Sequence, residues 1–110
     1  MIKGVGIDIV NIKRIEKILE TYGERFILRV LSKSELKELK KKGNIAEFIA
    51  GRFAAKEAIT KTLENAIPFN QIEITYNDYS KPTVKNFPDI FVSISHEKEF
   101  AIAIAIRIGI

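Results

Sequence analysis

The chain has 110 residues, 46% of them hydrophobic, no cysteine, and a formal charge of +4 with a pI near 9.4. That length gives a single domain spanning residues 1–110 with ample apolar content for a core; the missing cysteines exclude disulfides and thiolate metal sites and fit a cytoplasmic protein. No run is long enough for a transmembrane helix, the N-terminus enters a strand pattern directly rather than a signal peptide, and the basic balance points to an anionic partner.

Residues 2–10 alternate as a strand, with Val5, Ile7 and Ile9 on one face and Gly4, Gly6, Asp8 and Val10 on the other. The two glycines beside Asp8 let a neighbouring backbone or ligand approach closely. Asn11 is an N-cap for a helix with Ile12, Ile15, Ile18, Leu19 and Tyr22 on one face, stopped by Gly23. Ser32 and Glu35 form a capping box for a short helix ending at Gly43, and Asn44 with Glu47 starts the longest helix, over residues 45–64. That helix is apolar nearly all round, which makes it the central one. Pro68 ends the helical region. Ile72, Ile74 and Tyr76 then alternate as a strand with one wet face, Asn77 to Pro82 is a turn, and Thr83 to Lys85 reads as a short edge strand before Pro88. Residues 90–95 and 100–108 make a hairpin through His96-Glu97-Lys98-Glu99. In its last strand Phe100, Ile102, Ile104, Ile106 and Ile108 line one face, and Ala101, Ala103 and Ala105 the other. The small face suits the long helix, while the isoleucine face requires another cover, for which a second copy of the chain is a candidate. The expected fold is therefore α/β (α+β), a long central helix on a largely antiparallel sheet.

Two acids stand where the pattern wants apolar or small residues. Asp8 shares its strand face with glycines, and Glu57 points between Ala50 and Phe53 with Ala46 a turn behind, whereas Arg52 and Lys56 point elsewhere. Two such carboxylates brought together repel unless a cation lies between them. With no Cys or His nearby, oxygen ligands favour Mg²⁺, which accepts one or two carboxylates and keeps sites for water and phosphate oxygens. The bland alternatives are a surface ion pair from Glu57 to Lys61, four residues on, and a helix-capping role for Asp8. Local basic runs occur at Lys13, Arg14 and Lys17 and at Lys37, Lys40, Lys41 and Lys42. No helix-turn-helix pattern, zinc knuckle or aromatic-interleaved basic stripe accompanies them, so a phosphorylated small molecule or an acidic protein fits at least as well as nucleic acid. A small basic nucleotide- or RNA-binding module is the non-enzymatic alternative, and a purely structural oligomer built on the isoleucine strand is a third reading.

Three segments together resemble the holo-acyl-carrier-protein synthase family of phosphopantetheinyl transferases: Gly6-Ile7-Asp8-Ile9-Val10 with Arg14 downstream; Ala50-Gly51-Arg52-Phe53-Ala54-Ala55-Lys56-Glu57-Ala58 with Lys61; and Ser93-Ile94-Ser95-His96. Their order and spacing extend the resemblance over essentially the whole chain. It implies transfer of the 4′-phosphopantetheine arm of coenzyme A to a serine of an acidic apo acyl carrier protein, in support of fatty acid biosynthesis, by a homotrimer with sites at the subunit boundaries and with no nucleic-acid or membrane partner. By the same resemblance Asp8 and Glu57 hold Mg²⁺ and Lys61 stabilises the leaving group beside the pyrophosphate. Arg52 and His96 contact coenzyme A phosphate or adenine, and Lys42 is in reach of the 3′-phosphate. Arg52 is otherwise a solvated charge, and Lys42 a helix-end charge. Arg14, with Lys13 and Lys17, resembles the basic helix that greets the carrier, with Arg25 and Arg29 as weaker candidates. The acceptor of the serine proton is left open between Glu57 and a water on the metal. Two departures stand out: Ser80 occupies a turn position that commonly holds Gly, and Val10 stands where two-domain relatives carry a second acid.

Overall fold

The computed structural model describes residues 1–109. Strand β1 (Ile2–Asn11) leads into helix α1 (Ile12–Tyr22), and two short helices follow, α2 (Glu24–Val30) and α3 (Lys33–Leu39), before the long α4 (Ile45–Thr60). A 3₁₀ turn at Phe69–Gln71 then opens the strand-rich half: β2 (Ile74–Tyr76), β3 (Pro82–Val84), β4 (Ile90–His96) and β5 (Phe100–Ile108). The five strands form one antiparallel sheet in the order β1-β5-β4-β3-β2.

The caps are those expected from sequence. The Asn11 side chain accepts from the amides of Lys13 and Arg14, Ser32 and Glu35 close a capping box, and Asn44 accepts from the Glu47 amide. Gly23 ends α1 at φ 53°, a left-handed conformation that suits glycine.

Several boundaries differ from the sequence reading. Helix α4 stops at Thr60 instead of residue 64. Helix α3 stops at Leu39, after which Lys41 and Lys42 bond back only three residues in tighter turns, in a stretch where four lysines repel. Helix α2 was not expected, because seven residues are too few for a helical period to declare itself. Strand β3 is no edge: it lies between β4 and β2, and β2 forms that edge. Ser80 adopts φ 58° despite its side chain, in a turn where Asn77 Oδ1 accepts from the amides of Tyr79 and Lys81.

Helix α4 lies across one face of the sheet on the small residues that pattern supplied: Ala101, Ala103 and Ala105 are buried, as are Ala50, Ala54, Ala55 and Ala58 of the helix. Gly6 sets the distance. A Cβ built there would stand 1.9 Å from the carbonyl oxygen of Ala58, so any side chain would push helix and strand apart. The opposite face is apolar and open. Along β1 and β5, Val5 pairs with Ile106, Ile7 with Ile104 and Ile9 with Ile102, and Val5, Ile7 and Ile9 are each more than half exposed.

Candidate active site

The close approach at Gly6 sets β1, which carries Asp8, against the end of α4 that carries Glu57. Gly4 meets Thr62, and Gly6 meets Ala58 and Lys61. Two strand residues advance about 6.6 Å and four helical residues about 6 Å. The same progression carries Asp8 level with Ala54, three residues before Glu57 on α4. Lys61 closes the group from the helix end: its ammonium donates to the Ile7 carbonyl at 2.8 Å and lies 3.7 Å from Asp8 Oδ1. It is half exposed, with N–H capacity left for an anionic ligand. The alternative ion pair between Glu57 and Lys61 does not form, because Lys61 turns to β1. Nor does Glu57 lie in apolar burial as its stripe suggested. Its side chain is partly exposed, and among the described residues its carboxylate has no ion-pair or hydrogen-bond partner.

The donor set suits a hard cation. Asp8 and Glu57 offer carboxylate oxygens with no sulfur or imidazole, and no group of three or more acidic, His or Cys side chains able to hold a metal occurs among the described residues. A site of two carboxylates completed by water and phosphate oxygens fits Mg²⁺. The Val10 side chain is buried in the core and supplies no third ligand.

Three other predicted residues, far apart in sequence, line one cleft of about 250 Å³ at the start of α4. They are Lys42, Arg52 and His96, joined by Asn44, Glu47, Phe48 and Tyr76. His96, at the end of β4, places Nε2 3.5 Å from Glu47 Oε1. Arg52 is not a solvated charge. It is 3% exposed, with its guanidinium between the rings of Phe48 and Tyr76, at 4.6 and 5.3 Å from their centroids. Its Nε lies 3.0 Å from Glu35 Oε2, and a terminal nitrogen donates to Glu38 Oε2 at 3.2 Å.

Behind that cleft lies a cluster that sequence reasoning missed. Lys56 is fully buried and its ammonium saturates three acceptors: Glu35 Oε1 at 2.5 Å and the carbonyls of Val30 at 2.6 Å and Phe69 at 2.9 Å. Burial lowers its pKa below the usual lysine value, against the opposing pull of Glu35. Glu35, also fully buried, accepts from the amides of Ser32 and Ile74 besides its cations. A signal existed. Arg52 and Lys56 are four apart on a helix apolar nearly all round, so both had to meet buried acid.

The predicted docking residues lie elsewhere. Lys13, Arg14 and Lys17 are exposed along α1, whose Ile12 and Ile15 face the core. A groove beside that surface is lined by Ile18, Tyr22, Arg25, Phe26 and Arg29.

The sequence model of the 4′-phosphopantetheinyl transferase superfamily matches residues 4–105. The chain belongs to that superfamily. It is 49% identical to a holo-[acyl-carrier-protein] synthase of Mycoplasma capricolum, over 97% of this chain and 96% of that protein. The crystal structure of the synthase from Neisseria meningitidis superposes with a TM-score of 0.91 at 30% identity, covering 99% of this chain and all of that one. The Bacillus anthracis synthase in complex with CoA (3′,5′-ADP) gives a TM-score of 0.87 at 38% identity, over 97% of this chain and 96% of that one. The α/β fold, a long helix on an antiparallel sheet, is thus that of the superfamily.

Proposed function

We propose that the chain performs its superfamily's transfer, moving 4′-phosphopantetheine from coenzyme A to a serine of apo acyl carrier protein and releasing adenosine 3′,5′-bisphosphate. The observation that carries this reading is the convergence of Lys42, Arg52 and His96 on one cleft, with Glu57 and Lys61 further along α4 and Asp8, on β1, 3.7 Å from Lys61. From Arg52 to Glu57 the helix rises about 7.5 Å. One extended nucleotide can therefore place one phosphate in the cleft and its pyrophosphate beside Lys61.

Asp8 and Glu57 would hold Mg²⁺, which when bound neutralises pyrophosphate charge. The serine hydroxyl gives its proton to Glu57 or to water as its oxygen bonds to the phosphorus nearer the pantetheine and the bond to the bridging oxygen breaks. Lys61 stabilises the charge that gathers on the departing phosphate. Lys42 and His96 hold the nucleotide end, and Arg52 supports the cleft wall from behind.

The carrier docks on the basic face of α1, with Arg14 central and Lys13 and Lys17 beside it. The adjoining groove adds an apolar floor at Ile18 and Phe26 between Arg25 and Arg29, a surface suited to an acidic amphipathic helix. The open isoleucine face of β1 and β5 supports self-association as a homotrimer. A role in fatty acid synthesis follows from the carrier, and among the described residues no helix is long and apolar enough to cross a membrane.

The test is to incubate the protein with apo carrier, coenzyme A and Mg²⁺ and to weigh the carrier. A mass gain of one phosphopantetheine, with a raised carrier KM for Arg14→Glu, is expected. An unmodified carrier at stoichiometric enzyme would reject the assignment.

A further inference from the structure

The cations of the nucleotide cleft are already answered by the chain's own acids. Glu38, on α3, lies 3.2 Å from the Arg52 guanidinium through Oε2 and 4.0 Å from Lys42 Nζ through Oε1, so one carboxylate spans both. Its side chain is one-third exposed, unlike Glu35, which is fully buried and tied to two backbone amides besides its cations. Behind the cleft, Arg52 and Lys56 balance Glu35 and Glu38, two charges against two. Among the described Lys and Arg side chains lining the cleft, Lys42 then remains, and Glu38 engages it as well, while Glu47 faces His96.

We propose that Glu38 is a resident counter-ion that occupies Lys42 and Arg52 before the nucleotide arrives and so weakens the cleft's hold on a phosphate. The inference rests on the reading of this cleft as the nucleotide site. A phosphate approaching Lys42 must displace Glu38 or sit beside its negative charge, and either course costs affinity. Glu38 touches no substrate in this account; it acts through Lys42 and Arg52. Glu35 cannot play the part, since its removal would strand buried Lys56, whereas Glu38 can swing to water.

The experiment is calorimetric titration of adenosine 3′,5′-bisphosphate into the wild type, Glu38→Gln, Lys42→Ala and, as a control for net charge, Glu16→Gln on exposed α1. Glu38→Gln should bind about three- to tenfold tighter at low salt, the range of a partly exposed charge pair. Its affinity should also fall more steeply with added salt, because more uncompensated positive charge meets the phosphate. Glu16→Gln should match the wild type. Glu38→Gln that binds equally or more weakly while retaining the wild-type melting profile would overturn the inference and leave the cleft assignment standing. A wild type that binds no bisphosphate, or binds it no more tightly than Lys42→Ala does, would overturn the cleft assignment and the inference with it.

Discussion

Helix α4 carries two charged clusters that are built in opposite ways. At Lys56 and Glu35 every partner is present: the ammonium saturates three acceptors, the carboxylate meets two cations and two amides, and neither group touches water. At Asp8 and Glu57 the acids are partly exposed, and only Asp8 has a cation near it, at 3.7 Å. The first cluster leaves nothing for a ligand to satisfy, and it fastens α4 to the end of α2, to α3 and to the turn at Phe69. The second leaves coordinating capacity unused. Adjacent residues of one motif, Lys56 and Glu57, thus differ in kind because they project from different sides of the helix: one is saturated, the other is left free for the chemistry proposed above.

The largest expected separation between the clusters lies in activity. Asp8→Ala and Glu57→Ala should lower carrier modification by about 100- to 1000-fold while leaving the melting temperature near or above the wild-type value, since each removes a ligand and relieves repulsion. Rates from carrier mass and melting from circular dichroism check both halves. A large loss of stability in either variant would erase the contrast.

Ile104→Glu creates a third kind of acid, one answered neither by built-in cations nor by a ligand. Ile104 is 38% exposed in the single chain, amid Ile7 and Ile102. Wetting several such side chains forfeits roughly 1.5–3 kcal/mol each, which is the ground for proposing that another copy covers them. The variant should run as monomer or aggregate in light scattering and lose most activity. A wild type that is monomeric at micromolar concentration and fully active would break this account of the face.

Lys56→Met should reverse the pattern of Glu57→Ala, costing about 3–5 kcal/mol of stability because Glu35 is left buried with one cation fewer. The double variant Glu35→Gln/Lys56→Met should recover part of that loss, and urea denaturation measures both.

The smallest effect is in pH. With the folded-state pKa of Lys56 lowered by burial, the unfolded chain holds a proton that the folded chain lacks between that lowered value and the ordinary 10.5. Stability from this group therefore rises with pH through that window, and the gap between wild type and Lys56→Met should widen on going from pH 8 towards 10.5. A narrowing gap would mean that Glu35 outweighs desolvation.

Local rules accounted for most of the fold. Caps at Asn11, Ser32 and Asn44, the alternation in β1 and β5, and the glycines beside Asp8 are signals contained within a few residues. What escaped depended on contacts across the chain. The position of β3 inside the sheet follows from pairing with β4 and β2, not from its own three residues. The burial of Arg52 depends on Glu35 and Glu38, which come from another helix, and Tyr76 enters the cleft from β2. Sequence marked Asp8 and Glu57 by their mismatch with apolar surroundings, and that mismatch proved milder for Glu57 than the helical stripe implied.

In the function proposed above, the unsatisfied carboxylates, not the saturated cluster, hold the cation. Titration of coenzyme A into the wild type, Asp8→Asn and Glu57→Gln, each with and without Mg²⁺, tests it most directly. Mg²⁺ should tighten binding to the wild type and have no effect on either variant. An equal response to Mg²⁺ in all three proteins would contradict it.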